Sequence, residues 1–187
     1  MGMEYYYSIR NKPDVKNVSV GFDTSQFGDV ELFGTLMQFK ETQGSFWKSI
    51  GIGGSICAEP LIHGNTIYIG ACDKNFYAID KDGNERWRFK TNGVIVCNAS
   101  AHGNLVYFCS YDNNLYAINI KTGNMEWTFH ANDFIGRAPD FDDDKLYFGS
   151  CDGNLYCLDA KTGREQWRFK TSGEDGITPL IHEGRLY

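Results

Sequence analysis

With 187 residues, 42% of them apolar and 15% aromatic, and no apolar run of membrane-spanning length, the chain has the composition of a globular protein. A net charge of −6, with Lys and Arg spread along the sequence, argues against a nucleic-acid surface, which needs concentrated cations to meet phosphate. Six cysteines without any C-x-x-C spacing argue against structural zinc.

Met1 to Asn17 (MGMEYYYSIRNKPDVKN) contains no apolar stretch of signal-peptide length. Taken with free thiols, which suit a reducing compartment, this leads to the expectation of a cytoplasmic protein. Val18 to Asp23, Leu36 to Phe39 and Phe46-Trp47 read as second, third and fourth strands of a degenerate unit over residues 1–55. Thr24 to Phe33 (TSQFGDVELF) reads as a loop inserted between them.

From Trp47 onward the chain repeats. Trp47, Trp87, Trp127 and Trp167 are each 40 residues apart, and Tyr68, Tyr107, Tyr147 and Tyr187 follow at intervals of 39, 40 and 40. Gly83, Gly123 and Gly163 each precede a Trp by four positions. The grid divides the remainder into units at 56–90, 91–130 and 131–170, with a further unit beginning at 171–187.

Each unit reads as four short strands. In the third, these are Gly136 to Phe141, Lys145 to Ser150, Asn154 to Asp159 and Glu165 to Phe169. Asp73-Lys74, Asp112-Asn113 and Asp152-Gly153 are expected to turn the second strand into the third as two-residue turns, the last a dipeptide that tolerates the positive φ a tight type I′ hairpin requires. Glycine recurs in the next turn, where it supplies a backbone conformation that side chains disfavour. Four antiparallel strands in about forty residues, with one Trp each, is the period of a β-propeller blade. A Trp at the start of an outer strand can lay its ring against the glycine turn of the neighbouring blade, so Trp47, Trp87, Trp127 and Trp167 with Gly83, Gly123 and Gly163 are expected to be structural staples.

AINIKTGNMEW at Ala117 to Trp127 and CLDAKTGREQW at Cys157 to Trp167 resemble the tryptophan-docking motif of the pyrroloquinoline-quinone-type (PQQ-like) propeller repeat. YIGACDKNFY and YFGSCDGNLY resemble the second and third strands of the same repeat. The resemblance covers roughly Pro60 to Tyr187; the first full copy, AIDKDGNERW, departs from it by one deletion and by Asp82 in place of Thr. It implies an all-β fold of four-stranded antiparallel blades. About four to four and a half blades are present, an incomplete ring or fragment where relatives close rings of seven or eight. Pairing of two copies as half-rings, or closure of a four-bladed ring by Ile177 to Ile181, are the alternatives.

The repeat family hosts quinoprotein dehydrogenases and noncatalytic scaffolds alike, so function must be sought where the copies differ. The linkers KTNGVIV, HANDFIG and KTSGEDG place Asp133, Arg137, Glu174 and Asp175 near the channel mouth, as a candidate face for a ligand or partner. His63, His102 and His182 recur as polar turn residues without a partner carboxylate at a meaningful spacing. Asp73, Asp112 and Asp152 read as turn residues bonding their own backbone. Cysteines at grid positions held elsewhere by Gly or Ala read as small buried hydrophobes. The expectation is a noncatalytic propeller that binds a protein or small ligand, without cofactor, and that self-associates if its ring is open. The alternative is part of a dehydrogenase using pyrroloquinoline quinone with calcium, against which no adjacent Cys-Cys pair and no carboxylate-amide cluster is found.

Overall fold

A computed structural model describes residues 54–171 and Pro179 in full, together with the backbone of the strands that flank them. β1 (Val30–Phe33), β2 (Leu36–Lys40) and β3 (Trp47–Gly51) form a three-stranded antiparallel sheet. Three four-stranded meanders follow. The first is β4 (Leu61–His63), β5 (Thr66–Gly70), β6 (Asn75–Asp80) and β7 (Glu85–Lys90); the second is β8 (Ser100–His102), β9 (Leu105–Ser110), β10 (Asn114–Asn119) and β11 (Met125–His130). The third is β12 (Asp140–Asp142), β13 (Lys145–Ser150), β14 (Asn154–Asp159) and β15 (Glu165–Lys170), and β16 (Ile181–His182) pairs with β17 (Arg185–Leu186) as a separate sheet. These are the blades of a β-propeller, and among the described residues the sheets form an open series.

The middle strands explain the stacking. TIYIG of β5 is buried at every position, as are all but the ends of NLYAIN in β10 and NLYCLD in β14. Strands covered on both faces read as continuous apolar runs because a sheet lies on each side. Tyr68, Phe76 and Ala78 of the first meander share one core with Ile95, Val106, Phe108 and Ile118, and the Phe76 and Phe108 rings stack at 3.9 Å. Tyr107, Leu115 and Trp127 share the next core with Leu146, Phe148, Tyr156 and Leu158. Outer strands such as EQWRFK of β15 stay largely exposed.

The outer strand of each four-stranded sheet carries a bulge at one place. Trp87 pairs with Ala78 while Ile79 pairs with Glu85, which leaves Arg86 as the extra residue. The same shift falls after Ala117 and after Cys157. The bulge increases local twist and sets the Trp opposite a small residue.

The structure departs from the sequence reading at several turns. Between second and third strands the loops are longer than two residues, 71–74 in the first four-stranded sheet, 111–113 in the second and 151–153 in the third: in them Lys74, Asn113 and Gly153 alone take positive φ (69, 66 and 77°), each donating its N–H three residues back, to Ala71, Ser110 and Ser150. That is a type I turn closed by a left-handed residue, so the Asp before it stays in ordinary backbone space. The deletion in AIDKDGNERW shortens the next turn: Gly83 bonds three residues back to Asp80, where Gly123 and Gly163 bond four residues back to Asn119 and Asp159. First strands are shorter than expected, Asp140–Asp142 in place of Gly136 to Phe141. Val30–Phe33 is a strand in register with β2, whereas the sequence reading places it inside the inserted loop; Val18 to Asp23 and residues 24–29 lie outside the described residues.

Asp143 adopts φ 52° at the place where Gly64 and Gly103 take 59° and 60°. A β-branched side chain is strained there, although the site is exposed. Asp143→Val is therefore expected to lower stability by about 1–2 kcal/mol, and Asp143→Gly to leave it within about 0.5 kcal/mol, in urea titrations.

Candidate partner-binding face

At one end of the stacked blades, the linkers leaving β7 and β11 first bond the hairpin turn of their own blade and then cross to the next. Thr91 N–H donates to Lys74 C=O and Ala131 N–H to Asn113 C=O. One residue on, Asn92 N–H donates to Asp112 Oδ2 (2.9 Å) and Asn132 N–H to Asp152 Oδ2 (3.1 Å), each a carboxylate of the following blade. The crossing ends where Tyr111 and Cys151 donate their N–H to Val94 and Phe134. The approach is close: a Cβ on Gly93 would lie 2.4 Å from the Asp112 nitrogen.

The hairpin aspartates therefore do more than turn their own chain. Asp112 Oδ1 accepts from Asn114 N–H (3.2 Å) and Oδ2 from the Tyr116 hydroxyl (2.9 Å); Asp152 repeats this with Asn154 (2.9 Å) and Tyr156 (2.6 Å). In the first blade the Tyr77 hydroxyl and Asn75 N–H donate to Asp73. Burial opposes ionisation of Asp112 and Asp152, but these donors outweigh it and hold both carboxyls below their ordinary value. Burial and the adjacent carboxylate push Tyr116 and Tyr156 up to about 12.

The candidate residues fall on this frame unequally. Asp133 is exposed in the third linker, but its carboxylate accepts the Phe134 N–H (2.7 Å) and its carbonyl the Ser150 hydroxyl (3.1 Å), so it organises the loop. Arg137 is exposed, accepts the Cys109 thiol on its carbonyl (3.3 Å), and makes no ion pair among the described residues. Glu174 and Asp175 lie outside the described residues. The sequence reading missed the aromatic part of the face: Tyr111, 46% exposed, stacks on Phe134 at 4.2 Å. The available signal was departure from the grid, since Tyr111 stands where Cys72 and Cys151 do and Phe134 where Val94 does.

The tryptophans lie at the opposite end. A Cβ on Gly123 would sit 2.7 Å from Trp87 Cγ, and one on Gly163 2.6 Å from Trp127 Cδ2; both glycines hold φ near +70°. Trp87 Nε1–H donates to Ile120 C=O (2.9 Å) and Trp127 Nε1–H to Ala160 C=O (3.1 Å), in each case just before the glycine turn of the next blade. Trp127 is 9% exposed and Trp167 41%. Gly83 is buried with φ 74°, and the side chain of Trp47 lies outside the described residues. Beside this junction His102, Asn104, Asn119, Glu126, Asp144 and Lys161 line an open cleft of about 380 Å³. His102 stacks on Phe141 (5.1 Å), with Nε2 3.8 Å from Asp144 Oδ1.

No three His, Cys, Asp or Glu side chains among the described residues converge as metal ligands. Arg137 is the one Lys or Arg in the segments that join the described four-stranded sheets, 91–99 and 131–139. A quinone with calcium needs an oxygen cage and paired cations in one place, so the described residues do not fit that group.

Among curated proteins none matches the chain. Among solved structures, BamB from Moraxella catarrhalis superposes with a TM-score of 0.67 at 19% identity, covering 91% of this chain and 60% of its own. The computationally designed Ika8 protein gives 0.63 at 16% identity, over 82% of this chain and 52% of that one. A europium-containing methanol dehydrogenase gives 0.57 at 21%, over 65% of this chain and 26% of the enzyme. At these identities the likeness is one of fold, and the chain spans about 60% of the length of the BamB structure. The model of the family described as outer membrane protein assembly factor BamB matches residues 33–136 and 132–187, and the chain belongs to that PQQ-like repeat family.

Proposed function

We propose that this chain is a noncatalytic binding module whose linker-side face docks a protein partner. One observation carries the reading: the face exposes Tyr111 stacked on Phe134, with the cation Arg137 three residues along the same linker, on a frame fixed by cross-blade hydrogen bonds. A rigid aromatic pair beside an arginine is the composition that anchors protein interfaces, and it suits a partner segment offering apolar and acidic side chains. Membership in a family named for outer-membrane protein assembly supports a scaffold over an enzyme and gives no support to a cytoplasmic setting. The quinoprotein reading draws on dehydrogenase neighbours that share only part of their length with this chain.

The double variant Tyr111→Ser, Arg137→Glu is expected to reduce co-purification of the partner by at least about tenfold, the effect of losing one anchor residue, with an unchanged melting temperature. Retained binding would remove this face from consideration. Self-association is a second expectation: Trp167 and Phe169, 41% and 64% exposed on β15, leave apolar surface uncovered beside an outer strand. Sedimentation velocity should show concentration-dependent dimers, and a monomer across the whole range would contradict this.

A further inference from the structure

The six cysteines do not share one role. Cys97, Cys109 and Cys157 are buried, and two of them are spent on backbone: the Cys97 thiol donates to Ile135 C=O (3.2 Å) and the Cys109 thiol to Arg137 C=O (3.3 Å). Cys57 and Cys72 differ. Cys57 is exposed on the linker that precedes β4, Cys72 is half-buried in the turn after β5, and their sulfurs are 3.6 Å apart. The two segments are already clamped together, because Cys72 N–H donates to Ser55 C=O (2.9 Å) and a Cβ on Gly54 would lie 2.4 Å from the Asp73 nitrogen. The two sulfurs therefore lie within side-chain reach of each other, on backbone segments held in place by contacts they already make.

We propose that Cys57 and Cys72 form a redox-modifiable dithiol, converted by a small-molecule disulfide such as oxidised glutathione into an intrachain disulfide that locks linker to hairpin turn. The exposed Cys57, as thiolate, attacks the oxidant's S–S bond; one glutathione leaves as thiolate, takes up the proton that Cys57 lost, and a mixed disulfide remains on Cys57. The Cys72 thiolate then attacks the Cys57 sulfur and expels the second glutathione, which takes up the proton from Cys72. Two protein thiols are oxidised and one glutathione disulfide is reduced to two thiols. The bond closes a short loop, Cys57 to Cys72, at the end of the blades that carries Tyr111, Phe134 and Arg137, since Cys72 holds the grid position of Tyr111 and Cys57 that of Arg137. It would fix this blade's contribution to that face in one conformation.

The full chain should be incubated with a graded series of oxidised and reduced glutathione, then unfolded, alkylated and digested with trypsin. Residues 49–74 form one tryptic peptide that contains Cys57 and Cys72 and no other cysteine. The expected result is loss of both alkyl groups from this peptide together, in intact monomer, with Cys97, Cys109 and Cys157 remaining fully alkylated. The oxidised wild type should melt several degrees higher than the reduced protein. Cys57→Ser and Cys72→Ser should each abolish that rise and leave a stable glutathione adduct on the remaining cysteine. Independent oxidation of the two sites, bridging of Cys72 to Cys151 or between chains, or an equal rise in melting temperature in Cys57→Ser would overturn the proposal.

Discussion

Trp127→Ala should destabilise the chain by about 3–5 kcal/mol, the range for truncating a large buried aromatic. Its ring fills the junction between the second and third four-stranded sheets, packs against Tyr107 at 5.7 Å, and lies so close to Gly163 that even a methyl group there would overlap it. Truncation removes that packing and leaves the Ala160 carbonyl without its indole donor, although the Tyr107 hydroxyl still reaches it at 2.9 Å. Burial grades the series. Trp87 is half-buried and should cost less, and Trp167, 41% exposed, should cost about 1 kcal/mol. Gly163→Ala should destabilise strongly in the wild type and much less in the Trp127→Ala background, because the overlap is with the ring itself. Urea unfolding of the two single variants and the double variant measures this coupling; additive effects would contradict direct contact as the cause.

The second large effect is acid sensitivity. Asp112 is held ionised by Tyr116, by Asn114 of its own turn and by Asn92 of the preceding linker, so Asp112→Ala takes an acceptor from donors on three residues at a blade junction. Loss of about 2–3 kcal/mol is expected, less than for fully buried bonds because the site is part-open to water. The sign follows from the direction of the shift. Asp73, Asp112 and Asp152 have folded values below the ordinary carboxylate value near 4, so their contribution is present at neutral pH and is lost as pH falls through the folded values. Stability should be level down to about pH 5 and fall steeply below about 4. Tyr116 and Tyr156 are raised from 10.0 to about 12, so a second loss should begin above about pH 10 as the unfolded state starts to ionise. Asp112→Asn should flatten the acid limb; an unchanged slope in urea titrations from pH 3 to 7 would count against the carboxylate as its source.

What the sequence carried, it carried through repetition. Trp, Gly and Tyr at fixed spacing defined the blades because each blade solves one packing problem in one way. The inner strands Lys145–Ser150 and Asn154–Asp159 fall where alternating turn residues put them. Loop length was not legible, because whether Asp152-Gly153 closes a two- or three-residue turn depends on Ser150 pairing with Asn154 across the ladder. The cross-blade role of the aspartates was hidden for a related reason: the donor to Asp112 is Asn92, twenty residues earlier and in a different unit. Tyr111 and Phe134 were visible as breaks in the grid, yet only the stacked structure shows that they meet. The Cys57 to Cys72 contact joins a linker to a turn within one unit, and no spacing rule anticipates it.

The partner site we propose lies at the linker-side end and not at the glycine-turn end. A photo-crosslinking amino acid placed at Arg137 and, in a separate protein, at Lys121 in the exposed turn before Trp127 tests it in the native cell. A discrete protein adduct is expected from position 137, lost when Tyr111→Ser is added, and none from position 121. An adduct confined to position 121, or of equal yield at both ends, would contradict it.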